Sequence, residues 1–250
     1  MTAPAKFIVI AALLTVGLRA NAVDKDKKDK PAAPAVDSGS FGVYINGQRV
    51  LTETFNIQQQ NGNSSVVSQL NEGTATGDLL QKSEMNMTAS GELLRYDWTQ
   101  VKPAVSSLTV LPNNEFLLEK ITPPGAVKAA EQPFLMPNTS AIVDNNFFVH
   151  RELLAWRFLA SSCQPGGGGL QCKREPAEFG ILVPQDRTSL HVRMELIGKD
   201  KTSVHGVDRE LLRLKLAGEE TEWALWVDEL DHFKLIKISI PEARTEVVRD

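Results

Sequence analysis

Four histidines, His150, His191, His205 and His232, are the side chains best suited to move a proton near neutral pH. No two stand at a metal-ligand spacing such as His-x3-His. His150-Arg151-Glu152 is a His-x-Glu fragment, but the Pro-Cys-x-x-Cys that completes a zinc deaminase is missing. His191 falls on the polar phase of an alternating run, while His205-Gly206 and Asp231-His232 read as turns. Asp228, Glu229 and Asp231 cluster after Trp223-Ala224-Leu225-Trp226-Val227. Carboxylates held about 5–10 Å apart cleave glycosides, and grouped carboxylates bind calcium, but this spacing is not that of an EF-hand loop. A solvated hairpin tip accounts for it. A Gly-x-Ser-x-Gly nucleophile elbow is absent. No catalytic residue, cofactor or metal ligand is therefore assigned. The enzymatic alternative is a hydrolase that uses His150 or His232 with an acid brought near by the fold.

Cys163 and Cys172 flank Gln164-Pro165-Gly166-Gly167-Gly168-Gly169-Leu170-Gln171. A glycine-rich spacer lets its ends meet without steric objection, so a disulfide closing a surface loop is expected. Zinc needs four ligands at shorter spacings, and no Gly-Lys-Ser/Thr follows to make a phosphate cradle. Disulfides form in oxidising compartments, and the N-terminus supplies the route. Lys6 precedes the apolar stretch Phe7 to Leu18, and Ala20-Asn21-Ala22 offers a small-x-small cleavage site. As a helix that stretch spans about 18 Å, short of the roughly 30 Å hydrocarbon core. Residues 1–22 are thus expected to be a cleaved signal peptide, and the protein periplasmic or secreted. No Cys sits at the cleavage point to carry a lipid. Alternating Asp and Lys from Asp24 to Lys30, then Pro31-Ala32-Ala33-Pro34-Ala35, make 23–38 an expected disordered linker.

The elements that would position any site follow from periodicity. Leu190, Val192, Met194 and Leu196 interleave with Ser189, His191, Arg193 and Glu195, the pattern of a strand with one wet and one dry face. The same period recurs at Phe41-Val43-Ile45, Leu51-Glu53-Phe55-Ile57, Leu94-Tyr96-Trp98, Leu212-Leu214-Leu216, Trp223-Leu225-Val227 and Ile236-Ile238-Ile240. Turn pairs such as Asn46-Gly47 and Asn61-Gly62 separate the runs, and Asn-Gly is the strongest short-range hairpin signal. About ten to twelve strands at regular spacing imply an antiparallel meander in one domain, 39–250. Trp223 and Trp226 must lie on opposite faces of their strand.

One segment breaks the pattern. Asn145 to Ser161 has helical period, with Asp144 or Asn145 as the expected N-cap. Its apolar surface is wide, and His150, Arg151, Glu152 and Arg157 are expected on a narrow polar edge. Such a helix must cover part of the sheet, as a plug or as the lid of a cavity. Residues 120–143, rich in Pro, read as a loop leading to it, and 162–178 as a second irregular stretch.

The C-terminal run Glu222-Trp223-Ala224-Leu225-Trp226-Val227-Asp228 with Phe233-Lys234-Leu235-Ile236-Lys237-Ile238-Ser239-Ile240, and the opening Phe41-Gly42-Val43-Tyr44-Ile45-Asn46-Gly47-Gln48, resemble exported bacterial proteins of the DUF3108 and DUF6134 type. These are similar in turn to helix-lidded half-barrel carriers of the LolA and LppX type. The resemblance covers the two ends of the chain and transfers no catalytic residue.

The expected fold is mainly β: a single antiparallel, strongly curved sheet or incomplete β-barrel with one apolar helix packed on it. The expected function is non-enzymatic binding of a lipid or other apolar or amphipathic small molecule in a concave β cavity. Phe147, Leu154, Trp156 and Phe158 on the helix, with Trp98, Val192, Met194 and Trp223 on the sheet, are the expected ligand contacts. A cavity above roughly 300 Å³ under the helix favours this reading; converging His, Asp and Ser side chains favour the hydrolase; a filled core favours an assembly partner pairing through an exposed strand edge. Net charge of -4 and a pI near 5.7 exclude a generic nucleic-acid partner. Any association with a membrane is peripheral.

Overall fold

The computed structural model describes residues 35–166, 169–173, 175–219 and 221–250. The expected signal peptide and linker residues 23–34 lie outside them. Alternating sequence becomes strand throughout. The first half is a meander of β1 (Ala35–Ile45), β2 (Gln48–Gln60), β3 (Asn63–Glu72), β4 (Leu79–Thr88), β5 (Leu93–Gln100), β6 (Ser106–Asn113), β7 (Phe116–Thr122) and β8 (Ala130–Phe134). The two-residue β9 (Ala141–Ile142), helix α1 (Val149–Ser162) and the small hairpin β10 (Cys163–Gly166) and β11 (Gly169–Cys172) follow. A second meander then runs through β12 (Ala177–Val183), β13 (Thr188–Val204), β14 (Val207–Ala217), β15 (Glu222–Asp228), β16 (Lys234–Ile240) and β17 (Thr245–Arg249). Strand β1 thus begins at Ala35, ahead of the expected domain start at Gly39, and the Pro-rich 120–143 contains β8 and β9.

The two meanders join in the middle. Strand β1 pairs antiparallel with β17, from Phe41 opposite Arg249 to Ile45 opposite Thr245. The result is one 15-stranded sheet ordered β8-β7-β6-β5-β4-β3-β2-β1-β17-β16-β15-β14-β13-β12-β9. Asn46-Gly47, Asn61-Gly62 and His205-Gly206 turn the hairpins with positive φ at both residues, between 49° and 79°.

The strongly curved, barrel-like form expected of this sheet is replaced by a large open one. Closure requires the outer strands to pair with each other, and neither can. Strand β8 has five residues and Pro133, which lacks an N–H; β9 has two residues and is used by β12, to which it is parallel.

The apolar phases of the strands meet α1 in one core that includes Phe41, Phe55, Tyr96, Phe147, Phe158, Leu214 and Leu225. Trp223 packs on this core, and Trp226 joins Val204, Leu211, Ile236 and Val248 in a smaller cluster. The two tryptophans occupy opposite faces, as their odd spacing requires. Cys163 and Cys172 are register partners across β10 and β11 and are joined by a disulfide.

Candidate functional site

The site begins with how α1 is held. It starts at Val149, four residues later than expected, and neither Asp144 nor Asn145 caps it; Phe148 stands at the N-cap without a side-chain cap bond. The physical reason is that the Asp144 carboxylate is engaged elsewhere. It accepts the Tyr96 hydroxyl and, at 2.9 Å, the N–H of Asn146. The helix start is capped instead from the sheet: Glu53 of β2 accepts the N–H groups of Phe148 at 2.6 Å and Val149 at 3.3 Å, and the Ser68 hydroxyl at 2.6 Å. Glu53 is fully buried, and the loss of hydration lifts its pKa to about 7.

The expected polar edge of the helix is also corrected. His150, Arg151 and Glu152 are buried at 1%, 2% and 0% exposure, because main-chain groups of the segment before the helix serve the first two and the sheet serves the third. Arg151 donates to the main-chain carbonyls of Asp144 and Phe147 and lies over the rings of Phe148 and Trp223. Glu152 accepts from the Leu235 N–H at 2.9 Å and from Arg249 at 3.2 Å, and Arg249 also clasps Asp37 at 2.6 Å. Burial pushes the Glu152 pKa up to about 8 against the opposing pull of Arg249. His150 receives the Asp144 N–H on Nδ1 at 3.1 Å and packs against the rings of Tyr96 and Phe147.

Beside this clamp lies a cavity of about 470 Å³ between α1 and strands β3, β4 and β5. Met85, Met87, Leu93, Leu153, Leu154 and Trp156 form its apolar wall, His150 borders it, and Thr88–Gly91 with Ala160 and Ser161 lie at its rim. Trp156 is anchored by donating from Nε1 to the Phe233 carbonyl at 2.9 Å. A second cavity of about 390 Å³ shares Ser140 and Arg157 with the first and is more polar.

Compared with known proteins, the chain matches no family model, no curated protein and no solved structure. The residues alone carry the reading.

Of the eight expected ligand contacts, Leu154 and Trp156 line the main cavity. Val192 and Trp223 line a separate space of about 200 Å³ beside Arg151. Phe147, Phe158, Met194 and Trp98 border none of the three cavities; they fill the core at 6% exposure or less, with Trp98 donating to Gln81. The walls from β3 and β4 were missed. The signal for them was weak, since the phase of β4 that carries Met85 and Met87 continues through the polar Ser83 and Gln81.

The hydrolase geometry does not assemble. Among the described residues His150 bonds to no carboxylate, hydroxyl or thiol, and its partner is a main-chain N–H. His232 is in an exposed turn beside Asp231. Asp228, Glu229 and Asp231 are paired with Arg209, Lys199 and Lys234. No group of three His, Cys, Asp or Glu residues that could hold a metal exists among the described residues.

Proposed function

We propose that the protein binds an apolar or amphipathic small molecule in the cavity between α1 and strands β3 to β5. The observation that carries this is the cavity of about 470 Å³ with its wall of Met85, Met87, Leu93, Leu153, Leu154 and Trp156. Its size lies in the ~300–1,000 Å³ range of small-molecule sites, and its lining has the apolar character such sites share. Two methionines add an adaptable surface, because the unbranched thioether fits irregular chains. The disulfide and the expected export signal suit work in an oxidising compartment.

Titration with a fluorescent fatty-acid probe tests this. The wild type should bind one equivalent and Ala160→Trp, which fills the rim from an exposed helix position, should bind at least tenfold more weakly with its unfolding midpoint unchanged. No probe binding by the wild type would reject the reading.

A further inference from the structure

Resting on the binding site just proposed, we infer that its ligand carries an uncharged oxygen acceptor, an ester or amide carbonyl, which takes the Nε2–H of His150.

The inference starts from the main chain. A peptide N–H can only donate, so the Nδ1 that faces the Asp144 N–H at 3.1 Å must carry a lone pair. The neutral ring therefore holds its proton on Nε2. Burial, reinforced by the neighbouring Arg151 guanidinium, drives the His150 pKa down to about 3, so the ring stays neutral. Yet Nε2 is buried and has no hydrogen-bond partner. A buried donor left empty is destabilising, and the ring borders the cavity. A ligand acceptor is the missing partner.

The chemistry of that acceptor follows from the surrounding charges. A buried carboxylate needs a cation beside it. Arg157, the one cationic side chain of the lining, already donates to the Thr139 carbonyl at 2.6 Å and lies over the Phe179 ring. Next to His150 the Asp144 carboxyl and the Arg151 guanidinium interact with each other, and Arg151 is committed to the Asp144 and Phe147 carbonyls, so no free cation is left there for a ligand's charge. Of the other polar lining residues, Ser64, Thr88, Ser90 and Ser161 are partly or wholly exposed and belong to the mouth, and Ser140, which is buried, brings no charge. An uncharged carbonyl set within an apolar chain satisfies both the wall and the donor.

Matched probes decide it. Methyl decanoate and tridecane have equal numbers of non-hydrogen atoms and differ in the acceptor; decanoate adds the charge. Each is delivered from cyclodextrin to the full, disulfide-bonded protein labelled with 15N-histidine. The ester should bind about tenfold more tightly than the alkane, the size expected of one satisfied donor. It should also shift the His150 Nε2–H resonance, which tridecane leaves in place. In His150→Phe the ester should lose its advantage while the alkane still binds. Equal affinity of ester and alkane in the wild type, tightest binding of decanoate, or an Nε2 without its proton would each overturn the inference while leaving the cavity a binding site. Failure of all three probes would overturn both. If His150→Phe does not fold, since it strips the Asp144 N–H of its acceptor, the wild-type resonance and affinities still decide.

Discussion

Glu53 shows how one misplaced-looking residue governs the site. It sits on the apolar phase Leu51-Glu53-Phe55-Ile57, and Glu119 repeats the anomaly beside Leu117 on β7. A charge on the dry face of a strand is a sequence-visible flag for a buried partner. Glu53 found the first amides of α1; Glu119 found Arg187 at 3.2 Å, which links β7 to the turn after β12. Burial raises the pKa of both to about 7, from an ordinary 4.5. The sign of the linkage follows. A carboxyl group with a raised folded pKa keeps a proton that the unfolded chain releases, so its contribution is complete below pH 4.5, declines as pH rises, and is gone above about 7. Glu53→Gln keeps an acceptor for the Phe148 N–H and removes the titration. Urea unfolding should find it equal to wild type near pH 4 and more stable by about 1–3 kcal/mol at pH 8. Parallel pH profiles for the two proteins would refute the assignment. Glu53→Ala should instead lose about 2–4 kcal/mol near pH 4, because two buried N–H groups lose their acceptor, and correspondingly less at pH 8.

At the scale of elements, hairpins were legible and the helix boundary was not. Asn46-Gly47 and Asn61-Gly62 turn as expected because the positive φ they need is a local property of those residues. The start of α1 depends on a carboxylate 95 residues away, which no local capping rule contains. His150, Arg151 and Glu152 read as a wet edge, although main-chain groups before the helix engage the first two and the sheet engages the third in the interior. Of the cavity, the helix side was visible in the apolar width of α1, while the β3 and β4 side came from non-local packing. Trp156→Ala tests what the helix does. The indole is half-buried against the cavity and fixed by one bond to Phe233. Its loss should cost about 1–2 kcal/mol, less than a core truncation, and weaken the fatty-acid probe by a comparable factor. A loss of 3–5 kcal/mol without any probe binding would make α1 a plug. The β10–β11 hairpin is held differently: Cys163→Ser with Cys172→Ser should lower stability by about 2–3 kcal/mol through loop-closure entropy, checked by thermal unfolding of the double variant.

At the scale of the molecule, two meanders become one sheet along the seam between β1 and β17. Nothing in either strand announces this pairing, since each alternates like its neighbours and their partners are some 200 residues apart. Arg249 is the residue that makes the seam specific. From β17 it holds Asp37 of β1, Glu152 of α1 and the Leu235 carbonyl of β16, while covering the rings of Phe41 and Phe55. Sheet halves and helix therefore converge on one guanidinium. Arg249→Met retains much of the stem that packs on the rings but strips buried Glu152 of its cation and leaves Asp37 with Lys234 alone, at 3.8 Å. Breaking a buried ion cluster from one side costs about 3–5 kcal/mol, whereas replacing all of its members is close to neutral. Arg249→Met should accordingly lose that amount at pH 8, and Asp37→Asn with Glu152→Gln in the same chain should restore most of it. The loss should widen as pH is raised above 8, because Glu152, lifted to about 8 with the arginine present, is lifted further without it and only then do the two folded proteins differ in bound protons. Hydrogen exchange of the β1 and β17 amides locates the effect: at pH 8 they should be less protected in Arg249→Met than in the wild type, with the β4–β5 pairs slower to follow. Uniform acceleration across the sheet, or a single variant that the two further substitutions fail to rescue, would show that the seam is held by its backbone ladder and not by Arg249.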